Sequence, residues 1–324
     1  MSETYFPDII GQNRVKKALG FYIDGFKETN CIPHLMFTAP RGCGKTTMAT
    51  AMAKNLVGPD GAIKPLITIN CSTIKSLKQF FNMIVIPHMV ERDATVLFDE
   101  CSELPKDVTM ALLTICNPNP ANRNDFSYED YNVTFDFRRL SFMFATTEGQ
   151  SIFHALMDRM ERIDLEEYQL DELGQIVMMG LDGYTVDQKT LASISSVLRG
   201  NARAGQKMAM KMQLYLDAKS KKHFNGSDWK ELCGKLGILP LGISVQELNL
   251  MRYMARKKAT RLTELAAITG LSKGAIQKDY ELYLSKMGLM EIQPEGRSLT
   301  TKGLEYLNEL DGNKKHKSDK TSKK

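Results

Sequence analysis

The nine residues Ala39-Pro40-Arg41-Gly42-Cys43-Gly44-Lys45-Thr46-Thr47 contain the groups needed to hold a nucleotide's phosphates. Glycines at 42 and 44 let the backbone curl so that successive N–H groups face one anion. Lys45 supplies a point charge to the β- and γ-phosphates, and the Thr46 hydroxyl suits Mg²⁺. Pro40, Arg41, Cys43 and Thr47 complete the cradle of a Walker A loop. One position departs from that motif: Ala39 stands where its first glycine would be. A second stretch, Thr95-Val96-Leu97-Phe98-Asp99-Glu100, is an apolar run ending in two acids. Asp99 can hold Mg²⁺ through water, and Glu100 can polarise an attacking water. Together the two motifs describe phosphoryl transfer from ATP with Mg²⁺.

These side chains need a scaffold. A strand over His34–Thr38 and a helix over Thr47–Asn55 must flank the loop, because the helix N-terminus adds a favourable dipole for anions. Further short apolar runs stand at Leu66–Ile69, Thr95–Phe98 and Leu140–Ala145, with helical stretches between most of them. Strands alternating with helices predict an α/β fold with a parallel sheet covered on both faces. From the composition shifts we expect an ATPase domain over 1–165, a helical lid over 166–241, a third domain over 242–310 and a disordered Lys-rich tail over 311–324. The segment Asn117–Asp136 reads as a loop or hairpin inserted in the first domain.

Composition removes other classes. With 43% apolar and 25% charged residues the bulk of the chain is globular. No apolar run reaches the roughly 18 residues of a membrane span, and the acidic N-terminus is unlike a signal peptide. Six scattered cysteines without a CxxC pair argue against a disulfide framework or zinc ribbon and fit the cytoplasm. The net charge of +5 is concentrated in the tail, which holds six Lys and two Asp, so any nucleic-acid contact must be a local stripe.

The third domain reads as a winged helix. Val245–Lys258, Leu262–Ile268 and a helix capped by Ser272 precede a hairpin around Pro294-Glu295-Gly296-Arg297. Nine basic against five acidic residues between Arg256 and Lys302 suit phosphate contacts without sequence preference. Lys273, Lys278, Arg297 and Lys302 are the expected DNA contacts; a winged helix used for protein contacts is the alternative.

The order of motifs resembles the AAA+ ATPases and, within them, the RuvB family of Holliday-junction branch-migration motors. The resemblance spans about residues 5–308. Phe6-Pro7-Asp8-Ile9-Ile10-Gly11-Gln12 is similar to the family segment lining the adenine pocket, which implies Ile9 and Ile10 there. Ala145-Thr146-Thr147 matches the sensor 1 position and gives Thr147 a place near the γ-phosphate. Met157-Asp158-Arg159 matches Arg-Asp-Arg-Phe-Gly, so Arg159 would reach a neighbouring subunit's site as a finger. Arg199-Gly200-Asn201-Ala202-Arg203 matches Arg-Gly-Thr-Pro-Arg and places Arg203 at sensor 2; Tyr168, in the hinge, could stack on adenine. Read without the resemblance, Arg159 is a surface arginine, Thr147 a strand-end threonine, Arg203 a helix-start charge and Tyr168 a core residue.

The resemblance implies a homo-oligomeric ring, a hexamer, acting on double-stranded or branched DNA. It also implies a loading partner like RuvA, met through residues 117–137, although Phe126, Tyr128 and Tyr131 are the main apolar residues there. The wing tip, with an acid where the family has its first arginine, and the altered loop mark a divergent member of the kind a phage would carry. Two rivals share the nucleotide motifs: a clamp or helicase loader, and a DNA-binding regulator switched by ATP.

Overall fold

The computed structural model describes residues 5–58 and 61–321. The chain forms two compact units, 1–229 and 230–324.

The first unit is built on five parallel strands: β1 (Leu35–Thr38), β2 (Leu66–Asn70), β3 (Ala94–Asp99), β6 (Leu140–Thr146) and β7 (Glu161–Asp164), in the order β2-β3-β6-β1-β7. The strand β7, mostly charged, is absent from the four apolar runs read in the sequence, because an edge strand needs less apolar surface. Alternate residues serve opposite faces. Met36, Val96, Phe98, Phe142 and Phe144 enter one core, whereas Leu35, Phe37, Leu97, Met143 and Ala145 enter the other. Burial on both sides explains why the central strands read as continuous apolar runs. The second core is closed by helices Asn13–Thr29 and Lys45–Ala53, the first by Lys106–Ile115 and the segment Leu77–His88.

The inserted segment is an antiparallel hairpin of β4 (Arg123–Tyr128) and β5 (Tyr131–Asp136). Phe126 and Tyr128 stack on Phe81 with centroids 5.5 and 4.8 Å away and are half-buried. Tyr131 stays 43% exposed.

His34, just before β1, is packed edge-on to Phe137 at 4.5 Å, and its Nδ1 finds no partner. Burial pushes its pKa down to about 4. The unfolded chain therefore binds a proton below about pH 6.5 that the folded chain refuses. Stability should be fully present above that pH and fall by up to about 3 kcal/mol as pH drops toward 4. Thermal melts of the parent and of His34→Phe check this; the variant should show a flatter acid slope.

Helices Leu170–Met179, Gln188–Ser195 and Ala202–Ala218 complete the first unit with a two-residue parallel pair, β8 (Thr185–Val186) and β9 (His223–Phe224). That pair interrupts a stretch read as helical throughout; two residues per strand leave no pattern to detect.

In the second unit, Ser244 and Glu247 form a reciprocal capping box that starts helix Val245–Met254. Helix Leu262–Thr269 ends on Gly270 in the left-handed region, as a C-terminal turn requires. Ser272 caps the next helical segment, which widens into a π turn over Ile276–Glu281 and continues to Lys286. β10 (Met290–Gln293) and β11 (Gly296–Leu299) form the wing. The last helix is Thr301–Thr321. The remaining tail residues, 322–324, lie outside the described residues. No described helix is long and apolar enough to cross a membrane.

Candidate nucleotide site and winged-helix surface

The site forms at the carboxyl ends of three neighbouring strands. β6 lies between β3 and β1, with Asp99 beside Ala145 and Thr38 beside Thr146 in register. The phosphate loop leaves β1, the acids end β3, and Thr146-Thr147 end β6. A ligand crevice at such strand ends is the rule for open parallel sheets.

Gly42 and Gly44 have φ of +79° and +90°, so the loop turns where glycine removes the steric cost. Ala39 is not among the described residues with positive φ, which explains why losing that glycine does not open the loop. Lys45 begins the following helix, and its Nζ donates to the Ala39 and Pro40 carbonyls at 2.9 and 3.3 Å. Burial holds its pKa below the usual lysine range, with Asp99 opposing that shift. Thr46 Oγ1 donates to Asp99 Oδ2 at 2.9 Å, joining the two motifs directly. A hydroxyl and a carboxylate are hard oxygen donors and fit Mg²⁺, which takes few protein ligands when phosphates supply the rest. Glu100 adopts φ +56°, an uncommon conformation for a non-glycine residue, and its backbone N–H donates to Asp99 Oδ1 at 3.0 Å.

A cavity of about 300 Å³ is lined by Arg41, Gly42, Gly44, Lys45, Thr46, Thr47, Asp99, Glu100, Thr146, Thr147 and Arg203. The structure thus brings the loop, both acids, Thr147 and Arg203 to one place. Thr147 is exposed; its neighbour Thr146 is buried, shares a hydrogen bond with Ser102 and accepts from the Glu148 N–H. An adjoining cavity of about 250 Å³ collects Ile9, Ile10, Tyr168, Ile176 and Met179 around Gly44 and Thr47. Tyr168 is 9% exposed, and burial pushes its pKa up to about 12, so it is a neutral phenol. The apolar walls and the neutral ring suit a purine base.

Arg159 lies elsewhere. It precedes β7, beside a cavity shared with Ile32, Pro33 and His34, which precede β1. Its guanidinium donates to the Leu113 and Ala155 carbonyls and to Asn117 Oδ1. This is the opposite end of the sheet from its own phosphate loop, a strand length of roughly 13 Å at about 3.3 Å per residue.

Some contributors escape sequence reading. Gln12 donates to the Glu166 carbonyl at 2.7 Å and accepts from the Glu166 N–H at 3.1 Å, tying the N-terminal segment to the hinge. Gln206 lines both cavities, one turn beyond Arg203 on the same helix face. Asn201 donates to the Arg41 carbonyl. The partners of Gln12 and Asn201 lie more than a hundred positions away, where no local pattern reveals them.

On the second unit, Lys273 and Lys278 are exposed, and exposed Lys302 reaches the Met287 carbonyl at 2.8 Å. Arg297 corrects an expectation. It lies within β11 rather than at the tip, and its guanidinium bonds Glu281 at 2.8 and 3.2 Å, with the two side chains 14% and 6% exposed. Gln293 opposite Gly296 closes the wing in a two-residue turn, leaving Pro294-Glu295 at the tip. Of the four expected contacts, the three lysines are the exposed ones. Truncating one member of a buried pair strands the other charge, so Glu281→Ala should cost this unit about 3 kcal/mol in urea unfolding.

Comparisons with known proteins agree with this anatomy. Residues 35–168 match the ATPase family associated with various cellular activities, AAA. Residues 240–308 match the RuvB C-terminal winged helix domain. The chain thus joins an AAA ATPase module to a RuvB-type winged helix and is RuvB-like in its make-up. The Holliday junction branch migration complex subunit RuvB of Campylobacter hominis is 24% identical, over 94% of this chain and 89% of its own length. The subunit of the same description from a Wolbachia of Brugia malayi is 21% identical, over 93% and 91%. Among solved structures, the RuvB Holliday junction branch migration motor of Thermotoga maritima superposes with a TM-score of 0.73 at 21% identity, covering 92% of this chain and 95% of that one. A variant of that protein reaches 0.76 over 94% and 97%. The RuvB-like architecture therefore extends along nearly the whole chain.

Proposed function

We propose that the chain is an ATP-driven motor on branched duplex DNA, acting in Holliday-junction branch migration. The carrying observation is that one chain pairs a complete phosphate cavity with a RuvB-type winged helix. The winged helix favours the motor over a loader, which shares the nucleotide motifs.

In this reading Ile9, Ile10 and Tyr168 hold the adenine, and the loop from Pro40 to Thr47 holds the phosphates. Thr46 and Asp99 hold the Mg²⁺ that accompanies ATP, and that ion supplies charge neutralisation at the phosphates. Lys45 moves from loop carbonyls to the β- and γ-phosphates, a charge-assisted bond that offsets its desolvation. Glu100 orients and deprotonates the attacking water; Thr147 and Arg203 contact the γ-phosphate. Loss of that phosphate removes Arg203's partner and frees the helical segment it belongs to, a rigid-body transition. Arg159 cannot serve its own cavity from the opposite sheet end, which supports action on a neighbouring copy and hence a ring. Lys273, Lys278 and Lys302 contact DNA phosphates. Since Phe126 and Tyr128 are half-buried against Phe81, a loading partner would meet the hairpin mainly through Tyr131 and polar residues.

Steady-state phosphate release with and without duplex DNA tests the reading. Mg²⁺-dependent hydrolysis that rises several-fold with DNA is expected; no hydrolysis under either condition contradicts it.

A further inference from the structure

The first turn of helix Ala202–Ala218 grips the phosphate loop by two consecutive carbonyls. Asn201 Nδ2 donates to the Arg41 carbonyl at 3.1 Å, and the Arg203 N–H donates to the Gly42 carbonyl at 3.3 Å. In a trans peptide the C=O and N–H point to opposite sides. Holding these carbonyls from outside turns the N–H groups of Gly42 and Cys43 to the loop interior, where the Cys43 N–H and Lys45 Nζ both donate to the Pro40 carbonyl, at 3.5 and 3.3 Å. Inward N–H groups are what an anion nest requires.

Asn201 performs two tasks with one amide. Its Oδ1 accepts from the Ala204 N–H at 3.0 Å, capping the helix that carries Arg203. Its Nδ2 serves the loop. A Cβ added at Gly42 would come within 2.2 Å of Asn201 Oδ1, so the Asn201 amide packs on the loop in space that glycine leaves open. Serine and threonine can cap a helix, but their one short hydroxyl has no second arm to span to the loop; aspartate caps but has no donor.

We infer that Asn201 is a positioning residue that couples the helical segment to the phosphate nest. While the segment is seated, the peptides after Arg41 and Gly42 stay aimed at the phosphates. When it moves, both carbonyls are released and the product leaves. The inference deepens the nucleotide site proposed above and rests on it.

The test uses the full chain with Asn201→Ser and Asn201→Thr, which keep a capping oxygen and lose the second arm. Dissociation of a fluorescent ADP is followed after a chase with unlabelled ADP, beside thermal melts. Both variants should melt within about 2 °C of the parent and release ADP about 5–10-fold faster, the loss of one hydrogen bond of ordinary worth. A role confined to capping predicts unchanged release, because both variants keep the cap. Release within twofold of the parent in either folded variant overturns the coupling. Two independent substitutions are used so that poor folding of one leaves the other decisive. Failure of the parent protein itself to retain fluorescent ADP would instead overturn the nucleotide site.

Discussion

Protein carrying Arg159→Ala is expected to bind ATP normally and hydrolyse it about 10³–10⁵-fold more slowly, the range for removal of an arginine finger. Arg159 sits before β7 with Ile32 and His34 around it, whereas the phosphate loop leaves the far end of β1. It cannot reach its own cavity without unravelling the sheet edge, so any effect on hydrolysis must come from another copy. Its bonds to Leu113, Ala155 and Asn117 are local and leave it part-exposed at the surface, ready to exchange partners. Mixing is the discriminating experiment. Lys45→Ala protein lacks a working cavity but keeps its arginine; Arg159→Ala protein has the reverse. Mixed rings contain some interfaces with both groups intact, so hydrolysis should return although each variant alone is inactive. No recovery in mixtures that co-assemble would contradict shared sites.

The second large effect is expected from Glu100→Gln. Hydrolysis should fall about 10²–10⁴-fold, the usual worth of a general base, while ATP affinity is retained. The side chain is nearly isosteric, so the left-handed backbone at φ +56° is undisturbed. Asp99 keeps its bond from Thr46, which leaves the Mg²⁺ position intact. Quenched-flow sampling should find ATP rather than ADP on the variant. An unchanged turnover would favour a regulator that uses ATP as an assembly switch.

The catalytic half of the site was legible because its signals are local. Nine residues spell the phosphate loop, and a single strand delivers Asp99 and Glu100; sheet order then only has to bring β1 and β3 near β6. Arg203 and Tyr168 were legible through the resemblance, as isolated residues of their types carry little information. What stayed hidden depends on packing between distant segments. Asn201 meets Arg41, and Gln12 meets Glu166, across more than 150 positions. Arg297 illustrates the opposite failure. Its sequence position beside a glycine turn suggested an exposed tip, but the register that pairs Ile292 with Arg297 turns the side chain toward Glu281. A two-residue turn and a three-residue turn differ by one position, and that difference decides whether an arginine faces solvent or a carboxylate.

The most direct test is a synthetic four-way junction with one labelled arm, incubated with the purified protein and Mg²⁺. With ATP the labelled arm should be converted to duplex product, with no conversion by Glu100→Gln protein or with a non-hydrolysable analogue. A protein that hydrolyses ATP in response to DNA yet leaves the junction intact would contradict a branch-migration motor and point to a loader.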